Sequence, residues 1–412
     1  MEKHPKIVDI NGALVAFYPI DGLKAVAIDF QIRGGSWYEA GNWWGKAHLL
    51  EHMMFQGTQN FKNHDAMEVF KEENGIYTNA RTSGSCIEAY GRMPSESFVK
   101  GMDLFNEMLF KLKISDEALN KQKRVVKQEF EDRISRPTAR FWEKGMKQYF
   151  GEGHIYTRDG IGKRECFENA TKEDLLTYMK KVVVPANMVI SIAGKFDISE
   201  AEVVLRKMLT FGGKRMNLKT GPIKTNYERL AHFEHSMSSA TVQIGYKTVG
   251  LDKVTFEDRV KIGLGSYLLG GGGRSVLYKV IREALGLAYS ISSSIDYYPN
   301  VGWFEINTAV KKENVEMVIG EIDKSLNKFV LEKIDSETFA RSKKYLVMQR
   351  EMAYESAMGT ASSMASSLFW YGSVVSPEEY ALVVEKVTEA EVREVIKEII
   401  YKKKAAIAVM SS

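Results

Sequence analysis

The sequence predicts an α+β fold of two similarly built domains, each a mainly antiparallel sheet packed against helices. Three observations support this. The 412 residues exceed what one ordinary hydrophobic core accommodates. A polar stretch at about 211–227, rich in Gly, Lys, Thr and Asn, is typical of a surface linker. The order of predicted elements before this stretch recurs after it. We therefore predict domains at 1–212 and 229–412, joined by a linker at 213–228.

The first half begins with short strands and then alternates helices with strands. Val26, Ile28, Phe30 and Ile32 alternate with polar or small residues, a pattern that predicts a strand with one buried face. A helix around His48 follows. The further predicted elements are a helix at about 65–74 capped by Asp65, strands near 76–82 and 85–92, an amphipathic helix from Phe98, a helix capped by Asp116, and a strand at 187–192.

The second half repeats this plan. Its predicted elements are strands at about 229–235 and 240–247, a helix at 257–269, a second helix after four glycines at 270–273, a strand pair at 287–296 and 301–309, two or three long helices, and a final strand at 405–410. The histidine motif of the first half has no counterpart here. Both halves therefore share an architecture, whereas only the first carries residues suited to a metal.

Composition excludes several classes of protein. Hydrophobic residues at 44% and charged residues at 27% are typical of a globular protein. A net charge of +4 is small for this length and does not favour nucleic-acid binding. We find no apolar run of about 18 residues for a membrane span, nor an apolar signal region at the start. Cys86 and Cys166 fit no zinc or redox spacing, which favours a reducing cytoplasm.

The motif H-x-x-E-H at His48-Leu49-Leu50-Glu51-His52 carries the most chemistry. On a helix, residues three and four apart are neighbours, so both histidines and the glutamate project from one face. Two imidazoles and a carboxylate form most of a zinc hydrolase site, and this residue order marks the inverted zincins. Glu51 would act as the general base that takes a proton from zinc-bound water. The alternative is two helix histidines satisfied by ordinary hydrogen bonds.

A catalytic zinc ion needs a third protein ligand and an open position. The helix from Asp116 offers Gln128, Glu129 and Glu131. Glu129 shares a helix face with Val125 and Val126, so we expect it to point inward towards an apolar layer. A carboxylate there costs several kcal/mol unless it is paired or bound to metal. Glu129 is therefore the predicted third ligand.

The stretch from Ala47 to Thr58 closely resembles the inverted-zincin peptidases of the pitrilysin, insulysin and mitochondrial processing peptidase family. Other stretches that resemble the family are 74–80, 160–162, 185–188 and 270–290, so the resemblance covers essentially the whole chain. It implies one Zn2+ per chain, held by His48, His52 and a glutamate at the position of Glu129. It further implies hydrolysis of peptides or short unfolded polypeptides in an enclosed clam-shell chamber, of which one chain forms half.

The resemblance also assigns roles outside the metal motif. An arginine and a tyrosine spaced like Arg282 and Tyr289 reach the substrate near the scissile bond, where they can fix a carbonyl and a developing oxyanion. Asn79 and Ala80 would lie on the edge strand that holds the peptide as an added strand, although Asn79 could instead serve a turn or bulge. One position departs from the family: many members have a glutamate where this chain has Gln122. An amide there can hydrogen-bond but adds no negative charge.

The resemblance bears on partners as well. Shorter family members pair, and this chain carries both the zinc motif and the arginine–tyrosine pair. We therefore expect a homodimer that binds peptide substrates, with no nucleic-acid or membrane partner, in the cytoplasm. Two alternatives remain: the zinc-bearing subunit of a heterodimer with a homologous chain, and a non-catalytic peptide-binding scaffold of the same fold.

Overall fold

The protein is described by a computed structural model that covers residues 4–39, 44–233, 239–401 and 404–411. The chain divides into two compact units. The first unit consists of Met1–Arg136, Arg158–Gly221 and Ala353–Val375. The second unit consists of Pro137–Thr157, Pro222–Met352 and Ser376–Ser412.

The first unit is built on a mixed sheet with the strand order β1-β2-β6-β3-β5-β4. Its strands are β1 (Lys6–Ile10), β2 (Ala13–Pro19), β3 (Ala25–Arg33), β4 (Tyr77–Thr82), β5 (Cys86–Pro94) and β6 (Met188–Gly194). Its helices are α1 (Lys46–Met53), α2 (His64–Glu73), α3 (Phe98–Phe110), α4 (Asp116–Ser135), α6 (Arg164–Glu168), α7 (Lys172–Val182), α8 (Ile198–Met208) and α12 (Ala357–Tyr371). Strands β2 and β6 are parallel, and the other pairs described are antiparallel.

The second unit is built on a sheet with the order β7-β11-β8-β10-β9. Its strands are β7 (Leu230–Phe233), β8 (Ala240–Thr248), β9 (Ala288–Tyr298), β10 (Val301–Val310) and β11 (Ala405–Ser411). Its helices are α5 (Pro137–Phe150), α9 (Phe256–Gly270), α10 (Val315–Leu331), α11 (Ser336–Met352), α13 (Pro377–Lys386), α14 (Glu389–Tyr401) and a π-helical segment at Tyr278–Ala284. The predicted end of the first of these strands, at 234–235, lies outside the described residues.

The two sheets repeat one pairing scheme. A parallel pair, β2 with β6 and β7 with β11, is followed by three antiparallel strands in the same order. The first sheet adds β1 at its edge. The predicted α+β plan of two similarly built, sheet-plus-helix domains is thus confirmed, with one parallel pair in each otherwise antiparallel sheet.

Each unit takes one helical segment from the other half of the chain. Helix α12, from the C-terminal half, packs on β3 and β6 of the first sheet. Helix α5, from the N-terminal half, packs on β7 and β11 of the second sheet, where Phe141 contacts Ala408 and Met410. A division at the linker does not anticipate this exchange, and the boundaries at 212 and 229 stay a prediction.

The exchanged helix α12 explains why β3 is buried on both faces, although its alternating sequence predicts one buried face. Polar Asp29 and Gln31 lie on the face that the pattern assigns to solvent, yet both are buried. Gln31 Nε2 donates to Ser366 Oγ at 3.3 Å, and Arg33 Nη2 donates to the Phe369 carbonyl at 2.8 Å. Helix α12 therefore covers this face with both apolar and polar contacts.

Two predicted helix caps are wrong by one or two residues. Asn63, with an extended backbone, caps α2 by accepting from the Ala66 N–H, and Asp65 already lies in the first turn. Ser115 caps α4 in the same way, rather than Asp116. The reason is geometric, because a capping side chain must precede the helical backbone to reach the free N–H groups of the first turn.

Across the ranges given above, none of the helices combines the length and apolar character needed to cross a bilayer. Cys86 and Cys166 are both buried free thiols.

Candidate metal centre

Helix α1 presents its polar residues on one face because its opposite face is anchored in the core of the first unit. Leu49, Leu50 and Met53 are buried and belong to the main hydrophobic cluster. The helix begins after Gly45, whose φ of 110° lies in the left-handed region. A Cβ atom at Gly45 would lie 3.0 Å from the carbonyl oxygen of Ile161, so glycine is required for this close approach.

The two histidines of α1 converge with a glutamate from α4. Nε2 of His48 and Nε2 of His52 each lie 3.6 Å from Oε2 of Glu129. The ligand atoms of the three residues all lie within 4.8 Å of one another. A tetrahedral zinc ion with bonds of about 2.0–2.2 Å holds its ligand atoms about 3.3–3.6 Å apart. The donor set and its spacing therefore fit zinc.

The sequence predicts that Glu129 lies in an apolar layer, and this prediction is wrong. Its side chain is 45% exposed, and only Val126 of the two neighbouring valines is buried, since Val125 is exposed. The buried face of α4 is narrower than the predicted face and runs along Leu119, Gln122 and Val126. Glu129 sits beside this face, where it meets the histidines instead of the core.

The two alternative ligands on α4 make other contacts. Gln128 Nε2 donates to Asp132 Oδ1 at 2.9 Å, on the exposed side of the helix. Glu131 forms an ion pair of 3.4 Å with Arg164. In the described residues, the three side chains that could together hold a metal ion are therefore His48, His52 and Glu129, without Gln128 or Glu131.

The hydrogen bond of His52 and the lowered pKa of His48 both suit metal binding. His52 Nδ1 donates to Gln122 Oε1 at 3.1 Å, which leaves the Nε2 lone pair free on the side of Glu129. Burial, with a smaller contribution from His52, lowers the pKa of His48 to about 3, so His48 is neutral near pH 7. Its Nδ1 is buried without a hydrogen-bond partner within the described residues. Neutral imidazoles are the form that metals bind.

Glu51 lies on the same helix, with a partner that the sequence did not indicate. The Thr82 hydroxyl donates to Glu51 Oε2 at 2.6 Å. Burial raises the pKa of Glu51, whereas the bond from Thr82 and the proximity of His52 lower it, and Glu129 raises it. A half-buried carboxylate with a raised pKa beside the neutral imidazole of His48 can both accept and release a proton.

Asn79 and Ala80 lie on β4, the edge strand of the first sheet. The register of β4 with β5 is continuous from Tyr77 to Thr82, so Asn79 does not form a turn or bulge. Asn79 is exposed; its Nδ2 donates to the Tyr90 hydroxyl at 3.2 Å and its Oδ1 accepts from the Ala80 N–H at 2.9 Å. The strand that ends at Thr82 thus has an edge without a partner strand among the described residues.

Arg282 and Tyr289 lie in the second unit. Arg282 is exposed in the π-helical segment, with its guanidinium 4.8 Å from the centre of the Tyr278 ring. Tyr289 is the second residue of the edge strand β9 and is 62% exposed. Both side chains can therefore meet a ligand, and their predicted role in substrate binding stays a prediction.

Comparison with known proteins gives a consistent result. Residues 19–153 match a family model described as "Insulinase (Peptidase family M16)", and residues 169–346 match one described as "Peptidase M16 inactive domain". A Rickettsia felis protein named "Uncharacterized zinc protease" is 25% identical over 92% of this chain and 90% of its own. A "Probable mitochondrial-processing peptidase subunit beta" from Arabidopsis thaliana is 24% identical over 97% of this chain and 76% of its own. The solved structure of a Helicobacter pylori protease covers 100% of both chains with a TM-score of 0.87 at 19% identity, which shows a shared fold.

Proposed function

We propose that this chain, which belongs to the insulinase (M16) peptidase family, is a zinc-dependent endopeptidase that hydrolyses peptides or short unfolded polypeptides. One observation carries the proposal. His48, His52 and Glu129 bring a zinc-compatible donor set together beside Glu51, which lies on the same helix as both histidines. A family member that retains all four side chains in this arrangement has the parts that peptide hydrolysis needs.

The chemistry divides among these residues. His48, His52 and Glu129 would hold the ion, which when bound polarises the substrate carbonyl and makes water a stronger nucleophile at neutral pH. Glu51 would take a proton from the attacking water and pass it to the leaving amine. Its Oε2 accepts from the Thr82 hydroxyl, so we propose that Oε1 carries the proton.

The position of Thr82 supports a proposal for where the peptide substrate binds. A peptide added along the edge of β4 would pair through its backbone, which suits extended chains of varied sequence. Because Thr82 is the last residue of β4 and contacts Glu51, the scissile bond would lie at that end of the strand. Asn79 and Ala80 would flank the substrate further along. Arg282 and Tyr289 are proposed to fix the substrate carbonyl and the oxyanion, on the strength of the family resemblance.

Two assemblies are compatible with this activity. A homodimer enclosing a chamber, in the cytoplasm, is the first proposal, because the chain carries both the zinc-ligand set and the arginine–tyrosine pair. A heterodimer with a homologous chain is the second, favoured by the relative named as a subunit of a processing peptidase. A size measurement on the active protein tests both proposals, because a monomer with full activity would contradict both. A non-catalytic scaffold is disfavoured because no member of the zinc-ligand set is missing.

The experiment is peptide hydrolysis by the purified chain alone, with and without a chelator, beside Glu51→Gln. We expect hydrolysis that the chelator stops and zinc restores. Loss of the base should lower kcat by at least about 100-fold while zinc still binds. Unchanged activity in Glu51→Gln would remove Glu51 as the base. Activity that appears only after a homologous chain is added would favour the heterodimer.

A further inference from the structure

A buried carboxylate outside α1 caps the start of that helix. Glu39 is 1% exposed, and its two oxygens accept from the backbone N–H groups of Gly45 at 2.9 Å and Ala47 at 2.7 Å. The Lys46 N–H also lies close enough to lower the pKa of Glu39. The first N–H groups of a helix have no partner inside the helix. Gly45, the residue at the capping position, has no side chain to satisfy them.

The helix needs such an anchor because it is short. Its 8 residues, Lys46–Met53, are fewer than an isolated helix needs to be stable, so outside contacts fix where it starts. His48 follows directly after Ala47, one of the two residues that Glu39 binds. Any shift in the first turn of α1 therefore moves a predicted zinc ligand relative to Glu129, which lies on a different helix.

We propose that Glu39 is a positioning residue for the metal centre: its bonds to Gly45 and Ala47 fix the first turn of α1 and thereby set the spacing of His48 and His52 to Glu129. The proposal rests on the proposed function only in that α1 carries the zinc ligands. Glu39 does not belong to the zinc-ligand set and is not proposed to contact the substrate. It acts through the helix backbone.

Other contacts support this role. Arg158 donates to the backbone carbonyl of Glu39, so the segment that carries the carboxylate is itself held. Lys46, at the first position of α1, is buried and forms an ion pair of 3.0 Å with Asp174 at the start of α7. Burial raises the pKa of Glu39 to about 7 although three backbone N–H groups and Arg158 lower it. A negative charge at a helix N-terminus is also favoured by the helix dipole.

A second buried carboxylate of the same unit provides a matched control. Glu107 is 2% exposed and accepts from the Asn60 N–H at 2.9 Å and the Thr58 hydroxyl at 2.8 Å. It thus holds the loop after α1, whereas Glu39 holds the start. Glu107→Gln and Glu39→Gln make the same chemical change in the same hydrophobic unit, and only the second loosens the first turn of α1.

The experiment measures zinc affinity by competition with a chromophoric chelator, and amide hydrogen exchange over 45–50, in the wild type and both variants. We expect Glu39→Gln to raise the zinc Kd about tenfold, as loss of an outer support typically does, and to speed exchange in the first turn. Its kcat should fall at unchanged KM. Glu107→Gln should lower the Tm and leave zinc affinity and exchange over 45–50 as in the wild type.

Wild-type zinc affinity in Glu39→Gln would overturn the inference, even if exchange increased, because Glu39 would then be only a structural cap. Equal losses of zinc affinity in both variants would overturn it as well. A wild-type chain that binds zinc without hydrolysing peptides would refute the proposed function, and the zinc comparison would still decide the role of Glu39. If Glu39→Gln does not fold, Glu39→Asp replaces it, and wild-type zinc affinity in that variant contradicts the proposal.

Discussion

The Thr82 hydroxyl donates a hydrogen bond of 2.6 Å to Oε2 of Glu51. Thr82 ends the edge strand β4, and Glu51 lies on helix α1. The carboxylate proposed as general base is therefore tied to the strand proposed to hold the substrate. A displacement of that strand would change both the position of Glu51 and its pKa.

Replacing Thr82 tests this link. Thr82→Val keeps the shape of the side chain and removes the bond to Glu51. We expect kcat to fall about tenfold, the value of one hydrogen bond to a charged group, with little change in KM. The bond lowers the pKa of Glu51, so its loss raises that pKa. As the pH is lowered, the variant should therefore begin to lose activity at a higher pH than the wild type does. The measurement is kcat/KM across pH.

Thr78→Val is the matched control for that variant. Thr78 lies on the same face of β4 and is buried, and its hydroxyl has no hydrogen-bond partner within the described residues. It should leave kcat and the pH profile unchanged. Equal effects of the two variants would show that the strand, and not the hydroxyl, matters.

Gln122→Glu should tighten zinc binding. Gln122 accepts from Nδ1 of His52, and a carboxylate at that place makes the imidazole a stronger ligand. We expect the zinc Kd to fall by up to about tenfold in a chelator competition. Gln128→Glu adds the same charge on the exposed side of the same helix and should leave the Kd nearly unchanged. Similar shifts in both would indicate a general charge effect rather than support of His52.

Glu129→Gln should weaken zinc binding more than loss of any outer support. An amide is a poor zinc ligand, so we expect the zinc Kd to rise by more than about 100-fold. The control is Glu131→Gln, two positions along α4, where the carboxylate pairs with Arg164. Isothermal titration of the metal-free variants gives both values. Near wild-type affinity in Glu129→Gln would leave the third ligand to be found elsewhere.

Glu305 should make stability fall as pH rises. Burial, with a smaller contribution from Asp296, raises the pKa of Glu305 from 4.5 to about 7. Between these values the folded state holds a proton that the unfolded chain has lost, so the free energy of unfolding decreases from about pH 4.5 to about pH 7 and is level above. A pKa shift of this size corresponds to a decrease of about 3 kcal/mol in the free energy of unfolding.

Glu305→Gln removes that dependence and keeps an oxygen to accept from Gln243 Nε2. Relative to the wild type, the variant should gain stability as pH rises through this window, measured by urea unfolding at about pH 5 and about pH 8. Glu332→Gln, an exposed acid of the same unit, should follow the wild-type curve. Parallel curves for wild type and Glu305→Gln would show that Glu305 does not titrate in this range.

Local sequence spacing predicts the core of the candidate site but not its supports. The helical period alone predicts that one helix face carries His48, Glu51 and His52. The sequence favours Glu129 because its helix face is predicted to be buried, whereas the structure brings its half-exposed side chain to the histidines. Thr82 could not be found, because the contact between β4 and α1 depends on tertiary packing.

The same limit applies to the fold. Hydrophobic periodicity predicts the repeated order of strands and helices, because each element depends mainly on its local sequence. Asp29 and Gln31 alternate with apolar residues, which predicts a solvent-facing side, yet a helix more than 300 positions away in sequence covers it. Glu39 is close to α1 in sequence but caps it from outside, so it fits no local capping pattern.

The reciprocal placement of α5 and α12 limits how this protein can be divided. A cut in the linker would yield an N-terminal fragment whose sheet lacks helix α12. In the same fragment, helix α5 would lack strands β7 and β11, on which it packs. The C-terminal fragment would have the converse defect. Neither half of the chain contains a complete sheet-plus-helix unit, so a gene fusion that transplants one half alone should not fold as the same half does in the whole chain.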